Sequence, residues 1–131
     1  MPTITAHSGA EHFRTEISSD SGHQLLADEP TDNGGQNAGM APAELLASSL
    51  GACTCITVRM YAARKQWPLR GIDTTVSFER NAQHVVTHLT RHLRLDGDLS
   101  EEQRQRLLQV ANACPVHKAL TASVAIDTEL V

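Results

Sequence analysis

The sequence predicts an α+β fold in a single domain spanning residues 1–131. Several segments carry apolar residues at every second position, which is the period of half-buried strands. The stretch 42–66 is instead apolar around much of a helical circumference. The order along the chain is strands, a long helix, strands, helices and a last strand, and this separation of strands from helices is typical of α+β proteins.

The first predicted element is a β-hairpin. Residues 12–18 and 23–27 flank the sequence Ser19-Asp20-Ser21-Gly22, which is rich in turn-forming residues. The following segment, 28–41, is rich in Gly, Asn and Pro and predicts a long loop. Loops of this length are uncommon in small domains and are often functional.

The next predicted element is a helix over residues 42–66. Pro42 fits the first helical position, and Pro68 stops the helix. One face combines Leu46, Leu50, Cys53 and Thr57, with Leu45, Ser49, Ala52 and Ile56 beside it. Because so much of the circumference is apolar, we expect a central helix that is buried on several sides.

Two strands follow, at 72–80 and 84–96, around the turn 81–83. The first strand alternates with Ile72, Thr74, Val76 and Phe78 on one face, and the second with Val85, Thr87, Leu89, Leu93 and Leu95.

Two helices and a strand complete the chain. Ser100 with Gln103 three residues later forms the capping-box pattern at a helix start. Pro115 ends that helix and opens a short one over 115–121, and alternation over 124–130 predicts a last strand.

Composition excludes several function classes. The net charge is −4 without a basic stripe, and aromatic residues make up only 3% of the chain, so neither nucleic acid nor an anionic membrane surface is an expected partner. We find no pattern of a signal peptide and no apolar stretch near the roughly 20 residues of a membrane span. The expected location is therefore cytoplasmic, where cysteines tend to be buried, metal-binding or catalytic rather than disulfide-bonded.

Three cysteines are the main candidates for chemistry. Cys53 and Cys114 each lie within or at the end of an apolar helical segment, far apart in sequence. They could be inert, because free cysteine is among the most buried residue types, or they could form a redox pair. Cys55 lies about 200° around the helix from Cys53, so these two cannot chelate one ligand.

A reactive thiol must become a thiolate. Cys53 lies roughly 16 Å from the start of its helix, too far for the helix dipole to act, so it would need a cation from another element. The candidates on predicted strands are Arg14, Arg80 and Arg91. Cys114 would cap the short helix, where free N–H groups stabilise a thiolate, so local physics favours Cys114 as the more acidic thiol.

For Glu44 and for three of the histidines, a purely structural interpretation stands beside the functional one. Glu44, in the first turn of the long helix, stabilises the helix dipole or orients an arginine beside the active thiol. His84, His88 and His92 recur every four residues, which on a strand separates them by roughly 13 Å and predicts a solvated face rather than a metal site.

A zinc site is a further alternative. The C-x-x-H spacing of Cys114 and His117 could supply two zinc ligands, but the chain offers no clean second half of such a site.

Two motifs resemble the OsmC/Ohr family of osmotically inducible and organic-hydroperoxide-resistance proteins. One is the run Pro42-x-Glu-Leu-Leu-Ala-Ser-Ser-Leu-Gly-Ala-Cys53, and the other is Cys114-Pro-Val-x-Lys-Ala-Leu120. The resemblance covers most of the chain. It implies an OsmC-like two-layer α+β fold, stable as an intertwined homodimer with the long central helix between β-sheets.

The resemblance also implies a function, which is thiol-dependent reduction of organic hydroperoxides. Cys53 would match the peroxidatic cysteine and Cys114 the resolving one, with an external dithiol as reductant and no metal or other cofactor. Arg14 is the nearest match for the family's activating arginine, and Glu44 for its glutamate.

Two further expectations concern the substrate pocket and an alternative function. Leu46, Leu50 and Met40 are candidates for lining the substrate pocket. The alternative function is a non-enzymatic module that carries a small lipophilic ligand or senses redox state.

Overall fold

The computed structural model describes all 131 residues, in two compact units, Met1–Leu46 and Ala47–Val131. Five strands and three α-helices form a mixed α+β structure. The longest element, helix α1, runs from Pro42 to Lys65, so its first turn belongs to the first unit and the remainder to the second. The predicted helix 42–66 is confirmed almost to the residue.

The first unit contains a three-stranded antiparallel sheet in the order β1-β2-β3. Its strands are β1 (Ile4–Ser8), β2 (Thr15–Ser19) and β3 (Gln24–Ala27). The predicted hairpin is β2 and β3, but it begins three residues later than expected, because the N–H of Arg14 donates to the carbonyl of Glu11 in a turn. Strand β1 was not predicted from the sequence; its five residues are all exposed, and only Ile4 and Ala6 among them are apolar.

The loop between β3 and α1 is organised around one buried carboxylate. Asp28 is only 2% exposed, and it accepts hydrogen bonds from the N–H groups of Glu29 (2.7 Å), Gln36 (3.2 Å) and Ala38 (3.0 Å). These bonds, that of Ala38 above all, outweigh burial and hold the pKa of Asp28 below its ordinary value of 3.8. A single side chain thus fixes the backbone of a segment ten residues long.

The second unit contains a two-stranded antiparallel sheet and two helices. Strands β4 (Leu69–Arg80) and β5 (Val86–Gly97) are paired along their length, and helices α2 (Glu101–Asn112) and α3 (Pro115–Leu120) follow. The alternation predicted for β4 is confirmed. Val85 and Thr87, expected on the inner face of β5, are instead exposed, because the register shifts beside the turn.

The predicted capping box at the start of α2 is confirmed on both sides. The hydroxyl of Ser100 accepts from the N–H of Gln103 (3.1 Å), and the Gln103 side chain accepts from the N–H of Ser100 (2.9 Å). Two N–H groups that the helix itself cannot satisfy thereby find partners.

The core of the second unit lies where α1, α2 and the start of β4 meet. Its buried members are Val58, Ala62, Leu69, Leu107, Val110 and Ala111. Helix α1 contributes one narrow buried stripe: Ala47, Leu50, Thr54, Val58 and Ala62. The expected burial on several sides is wrong for the single chain, because Ile56 and Met60 are 54% and 62% exposed.

The expected last strand is also absent. Residues 123–131 adopt no regular structure, and the apolar side chains of Val124, Ile126 and Leu130 are exposed. Alternating apolar residues favour a strand only when a sheet edge is available for pairing, and this segment pairs with none in the single chain.

Helix α1 corrects one further expectation. It is long and apolar enough, by length and composition alone, to cross a bilayer. One such helix is weak evidence for a membrane span, because the core helix of a soluble protein passes the same test.

Candidate active site

The fold brings together two of the three cysteines. Cys53 lies half-buried on α1, and Cys114 is fully buried between α2 and α3, close enough to Cys53 that its thiol helps to lower the pKa of the Cys53 thiol. Cys55 lies on another face of α1, where its thiol contacts the hydroxyl of Thr74 on β4 at 3.2 Å. The expectation that Cys53 and Cys55 do not act as a pair agrees with these contacts.

Cys114 caps α3, as the sequence predicts. Its sulfur accepts a hydrogen bond from the N–H of His117 at 3.3 Å, and Pro115 occupies the first helical position, where no N–H is needed. The capping bond fixes the Cys114 side chain at the junction of the two helices. From there its thiol faces α1.

The surroundings of Cys53 favour its thiolate. Burial alone raises the pKa of the Cys53 thiol, but hydrogen bonds from the N–H of Val116, from Cys114 and from Thr57, together with the charge of Arg91, lower it below the ordinary value of 9.0. The first turn of α3 thus lowers the pKa of Cys53 through the N–H of Val116, and it also makes the capping bond to the sulfur of Cys114. Sequence reasoning had assigned the effect of that helix start to Cys114 alone.

Arg91 is the cation in this site. It lies on the inner face of β5, and its guanidinium donates to Thr54 Oγ1 (3.0 Å), Asn112 Oδ1 (2.8 Å) and His117 Nδ1 (3.0 Å). Since arginine can only donate, Nδ1 of His117 is the acceptor in this contact, which corresponds to the tautomer with its proton on Nε2.

Sequence analysis named Arg91 as one of three candidates but missed its three acceptors. The sequence contained a signal for Arg91, because this residue lies on the same face of β5 as Leu89, Leu93 and Leu95. A charged residue in the apolar set of an alternating strand needs buried partners. No local pattern marks Asn112 as one of them.

The other two candidate arginines have different surroundings. Arg14 belongs to the first unit, where it lines a shallow groove with His7, Glu11 and Glu16. Arg80 lies over the ring of Phe78, 5.7 Å from its centroid. The activating role expected for Arg14 stays a prediction.

The remaining predicted site residues are also placed. Glu44 accepts a hydrogen bond from the N–H of Ala41 (2.9 Å), a contact that stabilises the start of α1. Met40 and Leu46 are 50% and 37% exposed in the first unit, whereas Leu50 is buried in the second. Their contact with a substrate stays a prediction.

The geometry does not favour the zinc alternative. No group of three or more His, Cys, Asp or Glu side chains is close enough to hold a metal ion. Nδ1 of His117 is already engaged by Arg91. His84, His88 and His92 are all exposed, as the solvated face predicts.

Residues 34–129 match the sequence model of the family described as OsmC-like protein, which is well over half of the chain. The chain belongs to the OsmC-like family. The resemblance seen in the two cysteine motifs is thereby confirmed, and so is the α+β fold class. No curated protein matches the chain.

Solved structures of OsmC-like proteins share the fold. An OsmC-like protein from Mycoplasma pneumoniae has a TM-score of 0.80 at 22% identity, with 92% of this chain and 87% of that chain covered. For the organic hydroperoxide resistance protein OsmC from Legionella pneumophila the TM-score is 0.69 at 21% identity, with 92% and 88% covered. For OhrB of Bacillus subtilis, an organic hydroperoxide resistance protein, the values are 0.61 and 24%, with 91% and 89% covered. Identities this low support a common fold only.

Proposed function

We propose that this OsmC-like protein is a thiol-dependent peroxidase that reduces organic hydroperoxides. The observation that carries the proposal is the placement of two thiols side by side: Cys53 is partly exposed and has a lowered pKa, and the buried thiol of Cys114 is one of the neighbours that lower it. A thiolate that an incoming molecule can reach is the form of cysteine that attacks a peroxide. The names of the Legionella and Bacillus proteins point to the same substrate class.

The proposed reaction has three balanced steps. The Cys53 thiolate attacks the terminal oxygen of the hydroperoxide, and the O–O bond breaks. The alkoxide takes up a proton and leaves as an alcohol, and Cys53 becomes a sulfenic acid. The sulfur of Cys114 then attacks the sulfenic sulfur, and its proton leaves with the hydroxide as water. An external dithiol reduces the resulting disulfide by exchange and is itself oxidised.

Arg91 supplies positive charge near the reacting thiolate, whereas Arg14 and Glu44 are proposed contributors on the basis of the family resemblance. Leu46, Leu50 and Met40 are proposed to line the substrate pocket. We further propose a cytoplasmic location, a homodimer and no contact with nucleic acid or membrane.

The test is peroxide consumption with dithiothreitol as reductant, comparing cumene hydroperoxide with hydrogen peroxide. We expect turnover that is faster with the organic peroxide and is abolished in Cys53→Ser. In Cys114→Ser assayed without dithiothreitol we expect one turnover, with a sulfenic acid on Cys53 that dimedone traps. Cys55→Ser is the matched control and should retain full turnover. Undiminished turnover in Cys53→Ser would overturn the proposal.

A further inference from the structure

A single guanidinium joins the two cysteine segments of this site. Nη2 of Arg91 donates to Asn112 Oδ1 (2.8 Å) and to His117 Nδ1 (3.0 Å), so that one nitrogen holds both ends of the segment 112–117. Nη1 donates to Oγ1 of Thr54, the neighbour of Cys53 on α1. Three elements that are separate in sequence thus share one side chain from β5.

The held segment contains the groups that stabilise the Cys53 thiolate. Between Asn112 and His117 lie the thiol of Cys114 and the N–H of Val116, both of which lower the pKa of the Cys53 thiol by hydrogen bonding. The direct charge of Arg91 has a smaller effect on the Cys53 pKa than either of these bonds. The principal effect of Arg91 on the thiol is therefore expected through the segment it holds.

Two of the three groups that accept from Arg91 make a further hydrogen bond that holds them in place. Thr54 is fully buried and donates its hydroxyl proton to the carbonyl of Leu50 at 2.7 Å, which leaves a lone pair directed at Arg91. His117 has a second tie to the site, since its N–H caps Cys114. The planar fork of arginine satisfies several acceptors at once, whereas lysine carries one compact charge on a flexible stem.

We propose that Arg91 is a positioning residue that clamps the segment 112–117 onto helix α1, and that His117 is its principal anchor. The clamp keeps the thiol of Cys114 and the N–H of Val116 on the Cys53 sulfur. Its role in the second step rests on the proposed peroxidase function. Forming a disulfide brings the sulfurs to about 2.05 Å, and the clamp keeps the segment that carries Cys114 against α1 for that step.

The experiment measures the alkylation of Cys53 by iodoacetamide from pH 5 to pH 10 in a Cys55→Ser background, with mass spectrometry to locate the adduct. In Arg91→Met we expect the midpoint to rise by about one unit, so that alkylation at pH 7 is about tenfold slower. Arg91→Lys retains the charge but not the fork, and we expect it to behave like Arg91→Met. The control is Arg94→Met, which removes a charge from the exposed face of the same strand and should leave the profile unchanged.

Two outcomes would overturn the clamp. One is an unchanged profile in Arg91→Met, and the other is a parental profile in Arg91→Lys, which would assign the effect to charge alone. A simple loss of packing would expose Cys53 and accelerate its alkylation, which is the opposite direction.

Two variants of His117 test its role as the anchor. They also test the clamp if circular dichroism shows that Arg91→Met does not fold. His117→Leu removes the acceptor and should slow alkylation at pH 7, whereas His117→Asn places an oxygen near the former Nδ1 and should restore the parental rate. A parental profile in His117→Leu would contradict the proposal.

The clamp and the peroxidase function can fail separately. Alkylation needs no peroxide, so the clamp is tested even if the protein reduces none. With cumene hydroperoxide, we expect Arg91→Lys to accumulate more dimedone-reactive sulfenic acid on Cys53 than the parent, because Cys114 reaches it more slowly.

Discussion

At the scale of single residues, two opposing effects determine the pKa of the Cys53 thiol. Partial burial disfavours its charge, and four neighbours on three elements favour it: Thr57 on α1, Arg91 on β5, and Cys114 and Val116 at the start of α3. The favourable contacts prevail, so the thiolate is reached at lower pH than in an ordinary cysteine. No single neighbour accounts for this result.

Asp28 permits a prediction about pH. Its pKa is lowered in the folded state, so its contribution to stability is complete above the unfolded value near 3.8 and is lost as the pH falls through the lower folded value. In Asp28→Asn at pH 7, we expect faster amide exchange at Gln36 and Ala38, because their N–H groups donate hydrogen bonds to the Asp28 carboxylate in the parent. Hydrogen exchange read by NMR measures this directly.

Exposed Asp32 in the same loop provides the control, and Asp32→Asn should leave both amides protected. Acid should reduce the difference between Asp28→Asn and the parent once the pH falls below the lowered pKa of Asp28 in the folded state, because the parent carboxylate is then protonated and no longer carries its charge. Equal protection of Gln36 and Ala38 in Asp28→Asn and the parent at pH 7 would contradict the organising role of Asp28.

Side-chain roles could be predicted from sequence only where the signal is local. The capping position of Cys114 follows from the proline after it, and the separation of Cys53 from Cys55 follows from helix geometry. Which arginine meets Cys53 depends on how β5 packs against α1, and nothing local encodes that packing. The Val116 N–H was missed for the same reason, since a backbone group leaves no mark in a sequence.

At the scale of secondary-structure elements, the start of α2 offers a sharp test of local coding. Ser100→Ala removes the hydroxyl that accepts from the N–H of Gln103, and caps of this kind contribute about 1 kcal/mol. We expect a loss of that size in the free energy of unfolding, measured by urea denaturation. Ser100→Asp should retain most of the stability, because aspartate caps helices about as well as serine.

A matched substitution separates capping from general effects on this helix. Gln105 lies on an exposed part of α2 and bonds only to the Glu101 side chain, so Gln105→Ala should cost much less than Ser100→Ala. A Ser100→Ala protein as stable as the parent would show that tertiary packing alone holds the start of α2.

The elements also show where periodicity misleads. Alternation predicted β4 correctly, because β5 pairs with it and α1 lies against its inner face at Thr74 and Val76. The same pattern over 124–130 forms no strand in the single chain, where no sheet edge pairs with it. A sequence pattern reports what a segment could bury, and the available partner decides whether it does so.

At the scale of the whole molecule, the exposed side of α1 is the feature that a homodimer would explain. Ile56 and Met60 lie on it, 54% and 62% exposed, on a helix that the sequence makes apolar almost all round. Water contact with such side chains is unfavourable, and burying them against a second copy would remove it. A homodimer would also account for the difference between the expected central helix and the one-sided burial in one chain.

We therefore predict a dimer of twice the 14.2 kDa chain mass, observed by sedimentation equilibrium at micromolar concentration. Met60→Glu would place an unpaired charge in the interface at a cost of about 3 kcal/mol or more, which raises the dissociation constant about 100-fold. Thr75→Glu adds the same charge to the exposed face of β4 and should leave the dimer intact. A monomeric parent, or a Met60→Glu protein that dimerises as tightly as the parent, would exclude this face of α1 as the interface.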